Sequence, residues 1–362
     1  MSTSRPKRIE EAEVVLPCRD LGPALAFFTD RLGFRVEAVF PADSPRTVIL
    51  SAGGLRVRLD RDATGDPGRL RLGCADPTLA DGPTRLEAPN GTRIDLVATD
   101  PPLVLPPLAT SFVVTRFDDG AFHPGRAGMR YRDLIPDRQG GRIIASHIHI
   151  PDGGPVPDYV HYHRVRFQLI YCYRGWVKVV YEDQGSPFTM QAGDCVLQPP
   201  RIRHRVLESS PDLEVVEIGS PAEHETFADP GCALPTLSAD PSRDFDGQRF
   251  LLHVAADAEW DDEPGRGFQA RDLGMAAATG RLVDARVLRG EESARVDLEP
   301  ADAELRFGFV LQGGLMLAVG RAGDAVETTA LSRGDACVIP KGFAGAATVS
   351  GPATELLLIT VD

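Results

Sequence analysis

The sequence predicts a mainly β protein: two all-β barrel or sandwich units in tandem, preceded by a small α+β unit. Three observations predict it. First, the chain carries a long internal repeat, in which RYRDL (130–134) returns as QARDL (269–273), GRIIASHIHI (141–150) as GRLVDARVLR (280–289), and GDCVLQPP (193–200) as GDACVIPK (334–341). A period of that length marks a duplicated domain, not a stack of short repeats. Second, both copies read as short alternating strands, and 36 glycines and 30 prolines in 362 residues supply turns between them. Third, residues 1–100 read instead as a strand, a helix and three strands.

In that first segment EVVLPCRD alternates as a strand, and LGPALAFFTDRLGF has helical spacing that Gly33 stops. RVEAVF, TVILSAG and LRVRLD follow as strands. TRLEAPNGTRIDLVAT reads as a hairpin in which Asn90-Gly91 marks a two-residue turn. The βαβββ order, with DL before the helix and LGF after it, resembles the glyoxalase/vicinal-oxygen-chelate family. That family draws metal ligands from a His on its first strand and a Glu on its last. Here Glu13 and Asp95 fall near those places, and the second module is cut short between Arg69 and Asp100, its helix reduced to DPTLADG. The resemblance therefore implies a docking or dimerisation module without a metal.

Residues 101–120 are Pro-rich and read as a linker. The boundary between the two repeats is expected in FADPGCALPTLSADPSRD, giving domains at 1–100, 101–235 and 236–362. A net charge of -13 argues against nucleic acid or an anionic membrane as partner, because counterion release needs a basic face. There is no apolar run of membrane-spanning length and no apolar leader at the N-terminus. The six cysteines form no CxxC pair, which fits a reducing cytoplasm.

The chemistry concentrates in VHYHRVRFQLIYCYRG. His161 and His163, two apart on a strand, point to one face. His204, just beyond the chain reversal at Pro199-Pro200, is the candidate for a third ligand. Gly154, His161, His163, Gln168 and Gly175, then Gly193, Pro199 and His204, match the two motifs of the cupin family, with Arg201 in place of an inner glycine and Gln168 in place of an acid. Both repeats thus resemble a bicupin, two double-stranded β-helix (jelly-roll) barrels in one chain. The resemblance implies metal ligation by His161, His163 and His204, with Gln168 in the acid's place as a weak neutral donor.

Three neutral ligands leave the net charge of such a site near that of the ion, which suits an anionic small-molecule substrate. Fe(II) is favoured, with Zn, Mn, Ni or Cu chemically acceptable. Counting along the repeat carries His161 onto Pro300, His163 onto Asp302, Gln168 near Phe307 and His204 onto Gly345, so the second copy is expected to be scaffold without a metal. His147 and His149, two apart on a predicted strand, are candidate acid/base groups if they face inward. Arg166, sharing parity with Gln168, and Arg201 are candidate anion clamps. Cys172 is expected in the core, and His224 over the barrel mouth. The leading expectation is an Fe(II) dioxygenase using O2. The alternatives are a non-redox isomerase, lyase or cyclase, or a non-catalytic ligand-binding bicupin. A homodimer is the prior for such folds.

Overall fold

The computed structural model describes residues 9–77, 84–117, 122–263, 267–298, 302–321, 324–351 and 353–362. The chain divides into two compact units, Met1–Pro102 and Leu103–Asp362.

In the first unit, strand Val14–Pro17 leads through helix Leu21–Ala26, extended by a wider turn over Phe27–Arg31, to strands Arg35–Phe40, Thr47–Ala52 and Leu55–Asp60. Val14–Pro17 pairs in parallel with Leu55–Asp60, and the other pairings are antiparallel. Helical spacing places Leu21, Ala24 and Phe28 in one cluster with Val48, Leu50, Val57 and Leu59 of the sheet. A second sheet pairs Arg69–Cys74 in parallel with Arg93–Ala98, which folds back on Arg85–Glu87. The hairpin closes differently from the expected two-residue turn. Gly91 N–H donates to the Ala88 carbonyl, and Ala88 N–H to the Thr92 carbonyl. Pro89 sets the first corner and Gly91 follows at φ 87°, so the loop holds three residues. Most of the DPTLADG segment lies outside the described residues.

The second unit contains two β-barrels, each made of two facing sheets. In the first, a seven-stranded sheet runs in the order Leu251–His253, Cys195–Gln198, Phe167–Arg174, Leu213–Ser220, Ile144–Ile150, Arg130–Asp133, His123–Pro124. Opposite it lie Phe188–Gln191, Trp176–Tyr181, His204–Ser209, His161–His163 and Thr226–Ala228. In the second barrel the large sheet runs Asp261–Glu263, Phe268–Asp272, Val283–Gly290, Thr354–Val361, Leu305–Gln312, Ala336–Pro340, Val113–Thr115. Its smaller sheet is Arg295–Leu298, Phe343–Val349, Gly314–Arg321, Glu327–Ser332.

The two barrels exchange their lead strands. Val113–Thr115, ahead of the first repeat, pairs with Ala336–Pro340 of the second barrel. Leu251–His253, ahead of the second repeat, pairs with Cys195–Gln198 of the first. The repeat aspartates hold this exchange in the same way. Asp194 accepts N–H bonds from Gln191 (2.7 Å) and Ala255 (2.8 Å); Asp335 accepts them from Ser332 (2.9 Å) and Phe117 (2.7 Å). The segment read as a linker therefore contributes a strand, and residues placed after the 235/236 boundary complete the first barrel.

The central strands of the large sheets are buried on both faces. Leu169, Tyr171, Val216 and Ile218 share one core with Phe307, Phe309, Leu357 and Ile359 of the other barrel. Residues of opposite parity, such as Cys172 and Val215, fill the first barrel's interior, and Val310 and Leu356 fill the second's. Phe167, Phe307 and Phe309 are fully buried, each contributing roughly 1.5–3 kcal/mol relative to exposure. Gly175 joins two strands at φ 76°, and a Cβ there would stand 2.3 Å from Ser210 Oγ, which explains a glycine at that corner.

Candidate metal centre

His161 and His163 alternate with Tyr162, so both imidazoles are buried within the barrel while Tyr162 stacks on Phe227. His204 opens the neighbouring strand and pairs with His161 across the ladder. The turn that delivers it keeps a left-handed residue at Arg201, φ 64°, where the motif has glycine. The arginine holds the glycine's backbone shape at a cost of about 1–2 kcal/mol. Ring centroids lie 4.3 Å (161–204), 5.1 Å (161–163) and 5.2 Å (163–204) apart. One ligand nitrogen from each ring comes within 4.8 Å of the others.

The second nitrogen of each ring is already engaged. His161 Nδ1 meets the Tyr159 carbonyl at 2.7 Å, His204 Nδ1 the Ile202 carbonyl at 3.0 Å, and His163 Nδ1 the Thr226 hydroxyl at 3.0 Å. The two carbonyls can only accept, so they fix the proton of His161 and His204 on Nδ1 and leave Nε2 as the ligand atom; at His163 the Thr226 hydroxyl occupies Nδ1, which turns Nε2 toward the same space. Burial pushes all three imidazoles toward the neutral, ligating form. His204 is pushed down to about 3, first by burial and then by His161, and His163 and His161 are lowered too, with burial the largest cause. Three neutral nitrogens converging from two strands fit a first-row divalent ion.

Arg126 complicates the approach to this point. Its Nη2 lies 2.9 Å from His161 Nε2, and its Nη1 2.8 Å from Asp158 Oδ1. The other Asp158 oxygen accepts the Val206 N–H at 3.0 Å. Burial alone would raise the Asp158 carboxyl, but the Val206 N–H, His161 and Arg126 outweigh it and hold the carboxyl below its usual range.

The triad opens into a cavity in which the centre of a water molecule can range through about 80 Å³. Most of the wall is apolar, including Ile148, Val177, Met190 and Val215; the polar groups include Gln168, Gln198, Tyr181 and Glu217. Gln168 and Gln198 are each 2% exposed. Gln198 donates to the Tyr181 hydroxyl at 2.6 Å, and the Gln168 amide lies within hydrogen-bonding reach of Glu217. Burial pushes the Glu217 carboxyl above its usual range. Tyr181 in turn stacks on His204, at 5.5 Å and 23°.

Several sequence expectations change here. Gln168 faces the cavity as expected, and Cys172 is core. His147 and His149 do not line the cavity. They sit on the opposite face of their strand from Ile148 and Ile150, which do line it. His147 is packed between the barrels, with Nε2 2.7 Å from Glu214 and Nδ1 3.2 Å from the buried Arg132, and it contacts Tyr173 and Phe309. His149 faces Asp212 at 3.2 Å. Arg166 precedes its strand at a bend and turns away, toward Glu304 (3.2 Å) and the Asp362 carbonyl (2.7 Å). Arg166 and Arg201 line a separate cleft together with Arg164 and Gln248. His224 stands beside the triad, its ring 5.4 Å from that of His163.

Among the described residues, the second barrel carries other side chains at the positions matching His161, Gln168, His204 and Glu217, and strand register corrects the simple count. Leu298 pairs with Gly345 as His161 pairs with His204. The counterpart of His161 is therefore Leu298; Pro300 lies outside the described residues, and Asp302 is at the surface beside Lys341. Arg306, paired with Ile339, matches Gln168, paired with Gln198, whereas Phe307 faces the other barrel. Leu358 matches Glu217. Gly345 stands where His204 does, and a Cβ there would lie 1.9 Å from the Ala318 carbonyl oxygen, so that position admits no side chain.

In the first unit, Glu13 is paired with Arg58 (2.7 Å) and Arg56 (3.4 Å), and Asp95 with Arg69 (3.0 Å). Among the described residues, the triad forms the one cluster of His, Cys, Asp or Glu with metal-ligating spacing. No helix of the described residues is long and apolar enough to cross a membrane.

No protein-family model matches the sequence, and no curated protein matches it. Solved structures do match. Oxalate decarboxylase of Lactobacillus farciminis, as its formate complex, superposes with TM-score 0.54 at 14% identity, covering 70% of this chain and 87% of that one. Oxalate decarboxylase of Bacillus subtilis at pH 4.6 superposes with TM-score 0.54 at 12% identity, covering 73% of this chain and 78% of that one. At such identities the likeness establishes architecture and not activity. The chain has the bicupin fold: two cupin barrels in tandem.

Proposed function

We propose that this protein is a metal-dependent enzyme acting on a small anionic metabolite, with one divalent cation held by His161, His163 and His204 of the first barrel. The observation that carries this reading is the convergence of three buried imidazoles whose Nδ1 atoms are all engaged elsewhere. Bound there, the ion would supply Lewis-acid polarisation of a chelating oxygen. Gln168 presents a carbonyl oxygen to the same space, and Arg126 places a guanidinium beside it. Glu217 supplies a carboxyl that can take or return a proton within the cavity.

Non-redox, lyase-type cleavage of a carboxylate is the reaction class supported best. A carboxyl faces the cavity, and the solved structures of like fold are named oxalate decarboxylases. Fe(II)-dependent oxygenation is the second reading, favoured by the all-neutral donor set, which leaves charge compensation to an anionic substrate. The test is to load anaerobically purified protein separately with Mn(II) and Fe(II), offer a panel of small carboxylates, and record carbon dioxide and dissolved oxygen together. Carbon dioxide release without oxygen uptake supports the first reading. Stoichiometric oxygen uptake confined to the iron form supports the second.

The N-terminal unit is proposed to be a glyoxalase-like module whose Glu13 and Asp95 serve in ion pairs in place of a metal. A cytoplasmic homodimer, and three domains at 1–100, 101–235 and 236–362 with the exchanged strands crossing the last boundary, complete the proposal.

A further inference from the structure

The cavity wall holds more acceptor capacity than the protein uses. The Oε1 atoms of Gln168 and Gln198 are buried and without a hydrogen-bond partner, and the Glu217 carboxyl faces the same space. Barrel closure does not need a polar group at two of the three positions, because the second barrel has Ile339 and Leu358 where the first has Gln198 and Glu217, while Arg306 stands at the position of Gln168. Unpartnered buried acceptors are costly, so a group retained in that state is explained by a ligand that donates to it. The remaining wall is chemically distinct. Arg126 and the triad make one end cationic or metal-bearing, and Ile148, Val177, Met190 and Val215 make much of the rest apolar.

We propose that the ligand of this cavity is a small hydroxy acid with an apolar body: carboxylate toward the triad and Arg126, hydroxyl donated to Gln168, Gln198 or Glu217, and hydrocarbon against the aliphatic wall. This names the substrate class of the reading above and rests on it. An entirely polar diacid such as oxalate lacks the second and third features.

The test uses the full chain, with Mn(II) bound and metal-free, and three probes compared by calorimetric titration: α-hydroxyisovalerate, isovalerate, which lacks the hydroxyl, and oxalate, which lacks the apolar body. The hydroxy acid should bind at least roughly tenfold tighter than isovalerate, as expected when buried acceptors gain or lose their donor, and tighter than oxalate. In at least one of Gln168→Leu, Gln198→Ile and Glu217→Leu, the last two copying the second barrel, the two monocarboxylates should bind within about twofold of each other, with folding checked by thermal melting. Equal binding of the two by the wild type, tightest binding of oxalate, or a preference surviving in all three folded variants overturns the proposal. Metal titration of the wild type is read separately. A triad that binds no ion defeats the functional reading, while the hydroxyl preference of the metal-free protein still decides this one.

Discussion

At the scale of the residue, the triad is set by what lies behind it as much as by the imidazoles. Thr226 fixes the His163 ring through Nδ1. Thr226→Val should therefore weaken Mn(II) affinity about 10–100-fold, measured by titration, while leaving the melting temperature nearly unchanged. Arg126 acts in the opposite direction, because its guanidinium faces the His161 nitrogen that an ion would use. Arg126→Met should raise Mn(II) affinity; unchanged or weaker binding would show that the guanidinium does not oppose the ion. The histidines and Gln168 were legible in the sequence because motif spacing on a strand encodes a shared face. Glu217 and Gln198 were not. Their strands are buried on both faces, so the polar/apolar alternation that reveals an inward acid elsewhere is missing. For the same reason parity left open whether His147 and His149 face inward.

At the scale of the element, the exchanged strands were hidden inside apparent linkers. PPLVLPPLATSF is Pro-rich, and the three residues of Val113–Thr115 that pair beyond it are too few to show a period. The repeated Gly-Asp was visible, but its second function, gripping the lead strand of the other repeat, is a tertiary contact without a local signature. Asp335→Ala removes the acceptor of the Phe117 and Ser332 N–H groups and the partner of Arg116. It should cost about 1–3 kcal/mol in denaturant unfolding and leave Mn(II) affinity unaltered, since the triad lies in the first barrel. A loss of metal binding in that variant would mean that the exchange also shapes the site.

At the scale of the whole molecule, the barrels share an apolar core, and beside it lies a polar knot of the buried Arg132 and His147 with the half-buried Glu214. Burial and Arg132 keep His147 neutral, against the pull of Glu214, and its Nε2–H donates to that carboxylate. Burial would raise Glu214, but His147 and Arg174 outweigh it and bring it to about 2. Both shifts have the same sign. The unfolded chain takes up a proton at His147 near pH 6.5 and at Glu214 near 4.5 before the folded one does, so stability is lost as pH falls through this window toward 2. His147→Gln should flatten the upper part of that acid loss in thermal melts without changing metal affinity, as a structural rather than catalytic histidine requires. The bicupin architecture was legible because duplication leaves a sequence signal; the register of the second barrel was not, because length differences between its strands shift the count by two positions at His161 and by one at Gln168, and a shift of one reverses a side chain's face. The most direct test of the account is the ratio of ion to chain. Metal-depleted protein titrated with Mn(II) should bind one ion per chain, and His204→Ala should bind none with its fold intact. No saturable binding by the wild type, two ions per chain, or one ion retained by His204→Ala would contradict it.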